Sequence, residues 1–471
     1  MVFSSLEFIY FFLPIFILLY YIFPSKYRNA MLFLGSIVFY SIGTIDHPLY
    51  ILLMLWSIAI NYFIALGIEK FNDKNKLLLS IGIIYNFGWL FVFKYSDFLF
   101  SGINILLKSI LPNQNLSIPL WNLILPIGIS FYTFQIVSYL IDVYRKTCPA
   151  EHSIINLGTY ICMFPQLIAG PIVTYSSIRK QLTERTYSAR KIKSGTQFFI
   201  LGLGLKVLLA NPFGSIWSDI TNIGFESIST PLAWIGIFSF CFQIYFDFLG
   251  YSLMAIGLGL LLGFKLPKNF NHPYIATSMT DFWRRWHITL GSWFREYVYF
   301  PLGGSKEGTT KTIRNLFIVW MLTGLWHGAH INFLIWGLFL FSIIAVEKTF
   351  LKKYLDKYAI LGHLYMLLLI PISWAIFAIT DINQLGIFFG KLFPLFSQGV
   401  DIMFKLDYLK YLKNFGWLII LGFIFSTKIP LKIYLKIKNK PIGFILLIAI
   451  FWGATYCMYI GLNDPFLYFR F

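Results

Sequence analysis

The residues best suited to chemistry lie in the second half of the chain. They are His327 and His330 in LTGLWHGAHINF at 322–333, His287 with Arg284, Arg285 and Arg295 in DFWRRWHITLGSWFREYVYFPLGG at 281–304, and Asp247 in YFDFLGYSLMAIGLGLLLGF at 245–264. A histidine titrating near neutrality is the side chain best matched to taking a proton from a hydroxyl. Gly324 and Gly328 on either side of His327 leave room for a reactant. The plain alternative is an imidazole satisfied by one hydrogen bond, and spacing leaves both readings open. His327 and His330 are three apart, so in a helix they face the same way and offer two metal ligands. Neither a nearby cysteine nor an intramembrane carboxylate completes such a site within the segment, and no metal is expected. Helical spacing over 281–300 puts Phe282, Trp286, Leu290, Trp293 and Tyr297 on one apolar face and Arg284, His287, Gly291 and Arg295 on another stripe. Two guanidiniums beside a glycine could hold an anionic phosphate ligand, but spacing alone favours the plainer reading, anchoring to the phosphates of lipid headgroups. Asp247, the sole acid of its apolar run, is expected to pair with an arginine or with backbone donors.

A membrane must position these residues. Of 471 residues, 58% are hydrophobic, 20% aromatic and 12% charged, against roughly 25% charged in a soluble globular protein. Mean hydropathy is +0.71, and a soluble enzyme is excluded. Continuous apolar runs of the ~20 residues that cross a hydrocarbon core recur along the chain, and because they do not alternate they read as helices and not as barrel strands. Spans are expected near 6–23, 30–45, 49–67, 77–93, 122–143, 196–213, 232–262, 358–381, 414–427 and 441–461. The first, from Leu6 to Phe23, lacks a basic residue before it and a small-residue cleavage site after it, so it reads as a retained span. Lys plus Arg (38) exceed Asp plus Glu (20), giving +18. The excess falls in short loops, as cytoplasmic loops facing anionic headgroups require, and it does not form a face for nucleic acid. Cys162, Cys241 and Cys457 lie in apolar runs and Cys148 in a loop, with neither a disulfide framework nor a CxxC motif.

The basic loops orient the spans. Lys26 and Arg28, Lys70 to Lys76, Arg145 and Lys146, Arg179 to Lys193, Lys348 to Lys357 and Lys428 to Lys440 are placed in the cytoplasm, which leaves both termini outside. Two segments do not fit as single crossings. Residues 153–175 have cytoplasmic charge on both sides and contain Pro165, Gly170 and Pro171, so they read as a re-entrant or in-plane element. Residues 315–347 must enter, turn within 322–333 and return, which carries His327 well inside the membrane. Glu7, Asp142 and Lys206 fall near predicted span ends, where snorkelling suffices. The six Lys/Arg of 176–194 read as a solvated face against headgroups. Without an internal repeat or composition shift, 1–471 is one domain.

Taken together, VFSSLEF at 2–8, LPIGISFYTFQIVSYLIDVYR at 125–145, FPQLIAGPI at 164–172, FDFLGYSLMAIGLG at 246–259, DFWRRWHITLGSWFREYVYFPLGG at 281–304, LTGLWHGA at 322–329 and PFLYFRF at 465–471 are distinctive. In these segments the chain resembles the membrane-bound O-acyltransferases (MBOAT), and within them the bacterial alginate O-acetyltransferase branch. The resemblance implies an all-α polytopic integral membrane protein of about a dozen helices, with re-entrant or in-plane pieces and a central tunnel. It places the family's signature histidine on His327 and its second on His287. Where relatives often show FDFSGYSDMA, this chain has Leu249 and Leu253, and Gly291 and Glu296 replace a common Ser and Asp.

The expected activity is therefore acyl transfer, with acetyl the expected group, from a cytoplasmic thioester across the membrane to a hydroxyl. The expected donor is acetyl-CoA, held as a substrate and not as a bound cofactor, with its phosphates near Arg284, Arg285 and Arg295. His327 is expected to serve as general base and His287 to orient or stabilise the charged intermediate, with Asp247, Asp281 and Trp326 in support. The acceptor implied is a cell-envelope or secreted polysaccharide, peptidoglycan, or an exported SGNH-type acetyltransferase partner. The setting is the inner, cytoplasmic membrane, with membrane lipids as further partners. An acyl-carrier-protein donor, as in D-alanyl transfer to teichoic acid, is the enzymatic alternative. A transporter or flippase for a lipid-linked anionic sugar is the non-enzymatic one; it would show paired inverted halves, which are not seen, and would consume no acetyl-CoA.

Overall fold

The structure is a computed structural model, and it describes residues 1–111, 116–168, 170–394, 405–461 and 466–467. Among them every regular element is helical. Eight helices are long and apolar enough to cross a membrane: Leu49–Lys70, Asn75–Ile110, Ala189–Ile223, Thr230–Leu261, Ile331–Lys357, Ala359–Ala378, Asp407–Ser426 and Pro441–Tyr459. The shorter apolar stretch Phe8–Ile22 and the helices Arg28–Gly43, Ile129–Tyr144 and Thr309–His327 pack among them. Most lie where apolar runs predict them, with two instructive differences. The run expected at 77–93 continues as a 36-residue helix to Ile110, about 54 Å long. The run expected at 122–143 becomes helical only at Ile129, because Gly128 before it is left-handed at φ +78° and a Cβ there would lie 2.5 Å from the carbonyl oxygen of Leu167.

The centre of the protein is Thr230–Leu261, most of whose side chains are buried. It packs most extensively against Ala189–Gly204, through glycines spaced seven apart on both helices. A Cβ on Gly195 would meet the carbonyl oxygen of Gly257 at 2.8 Å, and one on Gly257 that of Gly195 at 2.6 Å; Gly202 and Gly250 oppose each other in the same way, at 2.5 and 2.7 Å. Where a helix pair has little hydrophobic driving force for association, small residues that let backbones touch supply the van der Waals contact instead. The antiparallel register continues to Lys206 and Asp247, which meet one turn beyond the second glycine pair. Lys206 therefore does not snorkel, as its place near a predicted span end suggested. It is sealed inside the bundle.

No described helix within residues 153–175 is long enough to cross a membrane. They include Ile154–Cys162, the four-residue helix Phe164–Leu167 with Pro165 in its first turn, and an irregular run from Gly170 to Thr174. Protein surrounds this backbone: Ser36 Oγ accepts from Phe164 N (3.1 Å), and the Tyr160 hydroxyl donates to the carbonyls of Gln135 (3.1 Å) and Val173 (2.9 Å). Irregular backbone at membrane depth is stable only when buried in this manner.

Residues 315–347 turn back as expected, as the antiparallel helices Thr309–His327 and Ile331–Val346. Their close approach rests on Gly324, whose Cβ would lie 2.5 Å from the Phe333 carbonyl oxygen, and on Gly337, 2.6 Å from that of Trp320.

Candidate active site

His327 is the last residue of its helix, and the turn that follows starts at Gly328. The final carbonyls of a helix have no partner within it, and here another helix supplies them. Lys94 Nζ donates to the Trp326 carbonyl (2.5 Å) and the Tyr95 hydroxyl to that of Leu325. A cation at a helix C-terminus also meets the negative end of the macrodipole. The imidazole is buried, with the rings of Trp336 and Phe377 each 5.1 Å away and that of Trp326 at 4.9 Å. His330 does not share this face. It is exposed and precedes the next helix, because Gly328 breaks the helical phase. Among the described residues no cluster of three His, Cys, Asp or Glu could hold a metal.

His287 reaches the same place by a different construction, and the single helix expected over 281–300 is corrected here. Met279–Arg285 ends, Trp286 is extended, His287 is left-handed at φ +42°, and Ile288–Phe294 begins afresh. Such a φ is uncommon outside glycine, and a paired strap holds it: Asn271 N donates to the Arg285 carbonyl and Ile288 N to that of Asn269, both at 2.9 Å. The break undoes the proposed polar stripe. His287 is buried while Arg284, Gly291 and Arg295 are exposed, whereas the apolar residues Phe282, Trp286, Leu290 and Trp293 do face inward. The start of Met279–Arg285 is fixed by Glu347, a buried carboxylate accepting from Met279 N (2.6 Å), Thr280 N (2.8 Å), the Thr280 hydroxyl (2.6 Å) and the Tyr365 hydroxyl (3.1 Å).

Asn269 sets the protonation pattern of His287. Its Oδ1 accepts from Thr289 N (3.2 Å) and the Thr289 hydroxyl (3.0 Å) and lies 3.0 Å from His287 Nδ1. A backbone N–H can only donate, so the Thr289 amide identifies this atom as oxygen and makes Nδ1 of His287 the donor. In the neutral ring Nε2 then carries the lone pair. Nε2 is buried, with no hydrogen-bond partner among the described residues.

The two histidines line one narrow cavity of about 20 Å³, together with Asp247, Phe248, Trp286 and Leu467. That space admits about a single water. Asp247 is ion-paired with Lys206 Nζ at 2.7 Å and accepts from Leu467 N at 2.7 Å, so a lysine and, as expected, a backbone donor are among its partners. The ring of Phe466 packs against Tyr251 (4.8 Å) and Phe248 (5.9 Å). Trp326 contributes a ring between the two imidazoles, 6.4 Å from that of His287.

The structure thus gathers His327, His287, Asp247 and Trp326. The three arginines lie outside the cavity wall: Arg284 and Arg295 are exposed, and Arg285 Nε is bonded to Asp281 at 2.8 Å. Sequence reasoning passed over Lys94, Glu347 and Asn269. The first two are single charges in or beside apolar runs and answer to the rule that picked out Asp247; a lone Asn after a Pro-Lys dipeptide carries no comparable signal.

The MBOAT, membrane-bound O-acyltransferase family model matches residues 32–389. The "Probable alginate O-acetylase AlgI" of Pseudomonas syringae pv. tomato is 38% identical over 400 residues, 83% of this chain and 75% of the relative. The "Peptidoglycan O-acetyltransferase" of Helicobacter pylori is 34% identical over 425 residues, covering 82% and 78%. The "Teichoic acid D-alanyltransferase" of Bacillus subtilis is 29% identical over 252 residues, covering 51% and 63%.

Proposed function

The chain belongs to the membrane-bound O-acyltransferase family and is a multi-pass membrane O-acyltransferase, and from that premise we propose that it moves an acetyl group from acetyl-CoA to a hydroxyl of a cell-envelope or secreted polysaccharide. The acetyl group is preferred to D-alanine because the relatives of highest identity cited above carry O-acetyl names over four-fifths of this chain, whereas the D-alanyltransferase aligns with half of it. The observation that carries the mechanism is the pair of buried imidazoles on one cavity wall.

The thioester enters from the basic, cytoplasmic side, its phosphates near the exposed Arg284 and Arg295; Arg285, tied to Asp281, orders the same segment. His327 takes the proton of the acceptor hydroxyl as its oxygen attacks the thioester carbonyl. The C–S bond then breaks and the proton passes to the departing sulfur. His287 presents a lone pair from Nε2, so while neutral it orients the acceptor by accepting from a second hydroxyl of it, the one proton of the reacting hydroxyl being committed to His327. Stabilising a negative oxygen, the other role open to it from sequence, requires its protonated form. Lys206 and Asp247 act as positioning residues. We place the protein in the cytoplasmic membrane, with an exported SGNH-type acetyltransferase as the partner that carries the acetyl group onward.

The test is an acetylation assay in intact cells or membranes. His327→Ala at normal abundance should abolish O-acetyl groups on the envelope polymer, a fall of at least about 10²-fold; unchanged acetylation would remove the catalytic assignment.

A further inference from the structure

Far from the histidines, the helices Ala189–Gly204 and Pro441–Tyr459 leave an open groove of about 610 Å³ that shares no lining residue with the active-site cavity. Its two ends differ chemically. At one end Lys193, Lys438 and Lys440 converge from two segments, and no carboxylate lines the groove. Lys193 Nζ donates to Asn439 Oδ1 at 3.1 Å, which joins the two segments across the top, and among the described residues none of the three ammonium groups is in a salt bridge. Below them the wall is apolar and aromatic, with Phe444 and Trp452 exposed and Phe451 half-buried. All three lysines belong to loops that the positive-inside pattern assigns to the cytoplasmic face.

We propose that this groove is a binding site for a two-chain phospholipid with a net anionic headgroup, drawn from the cytoplasmic-facing leaflet. The phosphate sits among the three ammonium groups and one acyl chain lies along Phe444, Phe451 and Trp452. Charge complementarity selects this occupant. Three cations close together with no carboxylate repel one another until an anion is seated among them, and a zwitterionic headgroup brings its own cation into the same cup. The apolar wall distinguishes the site from a general basic surface, since a soluble anion leaves the aromatic half of the groove unfilled. Tryptophan at the interface suits the boundary between chain and headgroup.

The experiment uses the full chain purified in mild detergent, with native mass spectrometry to count lipids retained after addition of phosphatidylglycerol or phosphatidylcholine. The expected result is one tightly held phosphatidylglycerol, retained at least about tenfold more strongly than phosphatidylcholine, with that preference lost in K193Q/K438Q/K440Q. Thermal unfolding midpoint and elution profile verify that the triple variant is folded. A second variant, Phe451→Ala with Trp452→Ala, should weaken retention of both lipids while leaving the preference between them. Equal retention of the two lipids by the wild-type protein, or a preference that survives loss of the three lysines, overturns the proposal. So does displacement of phosphatidylglycerol by equimolar palmitoyl-CoA, which would make the groove a thioester site.

Discussion

Lys206 Nζ and Asp247 Oδ1 lie 2.7 Å apart, with side chains only 4% and 2% exposed, one turn beyond the point where Gly202 and Gly250 bring two helix backbones together. The glycine register decides that these charges meet, and Asp247 uses its other oxygen to hold Leu467 N beside the cavity lined by His287 and His327. Helix packing, ion pairing and the shape of the site are therefore one arrangement.

Lys206→Met takes a cation away from a buried carboxylate and leaves an apolar side chain against it, and should lower stability by about 3–5 kcal/mol, read as a lower unfolding midpoint in detergent. The double variant Lys206→Met with Asp247→Leu should recover most of that loss, because an apolar pair of similar volume replaces the buried ion pair. It should not recover acyl transfer, since Leu467 N has lost its acceptor. Recovery of both together would mean that Asp247 has no bearing on the site.

Asn269→Ala removes the acceptor that fixes the tautomer of His287, and turnover should fall by about 10- to 100-fold with little change in apparent KM, the pattern of an interaction made at the reacting centre. Asn269→Asp still offers an oxygen to Thr289 N and to Nδ1, so it should retain more activity than the alanine variant at matched abundance. Steady-state kinetics with both variants check the order; equal loss in the two would point to simple misfolding of the strap.

Gly202→Ala places a methyl group 2.5 Å from the Gly250 carbonyl oxygen, and the helices must separate to admit it. The expected cost is about 1–3 kcal/mol, measured as a drop in unfolding midpoint. Gly416→Ala, on Asp407–Ser426, has nothing within 4 Å of the new Cβ and should be neutral or slightly stabilising.

The elements were legible in proportion to how local their causes are. Apolar length alone foretells most of the long helices, and the basic loops on both sides of 315–347 are enough to require the hairpin whose inner turn presents His327. The break at His287 is different. Its cause is a pair of backbone hydrogen bonds to Asn269 and Asn271, eighteen and sixteen residues upstream of it, and helical periodicity over 281–300 carries no trace of them. The apolar half of that periodicity survives because burial, not helix continuity, selects it; the polar stripe fails because it needed one unbroken phase. Lys206 was misplaced for a related reason. Its distance from a span end suggests an escape to water, and only the matching of seven-residue glycine spacings on two separate helices reveals that a partner helix covers it.

The same glycine pairing bears on how reactants gain entry. Two backbones already in contact at Gly195 with Gly257 and at Gly202 with Gly250 have no slack for sliding or rolling, so that side of the active-site cavity is a fixed abutment. Any widening of the water-sized void belongs to the opposing side: the strap that carries His287 and the hairpin that ends at His327. An opening of this cavity would therefore move one wall against another that stays still.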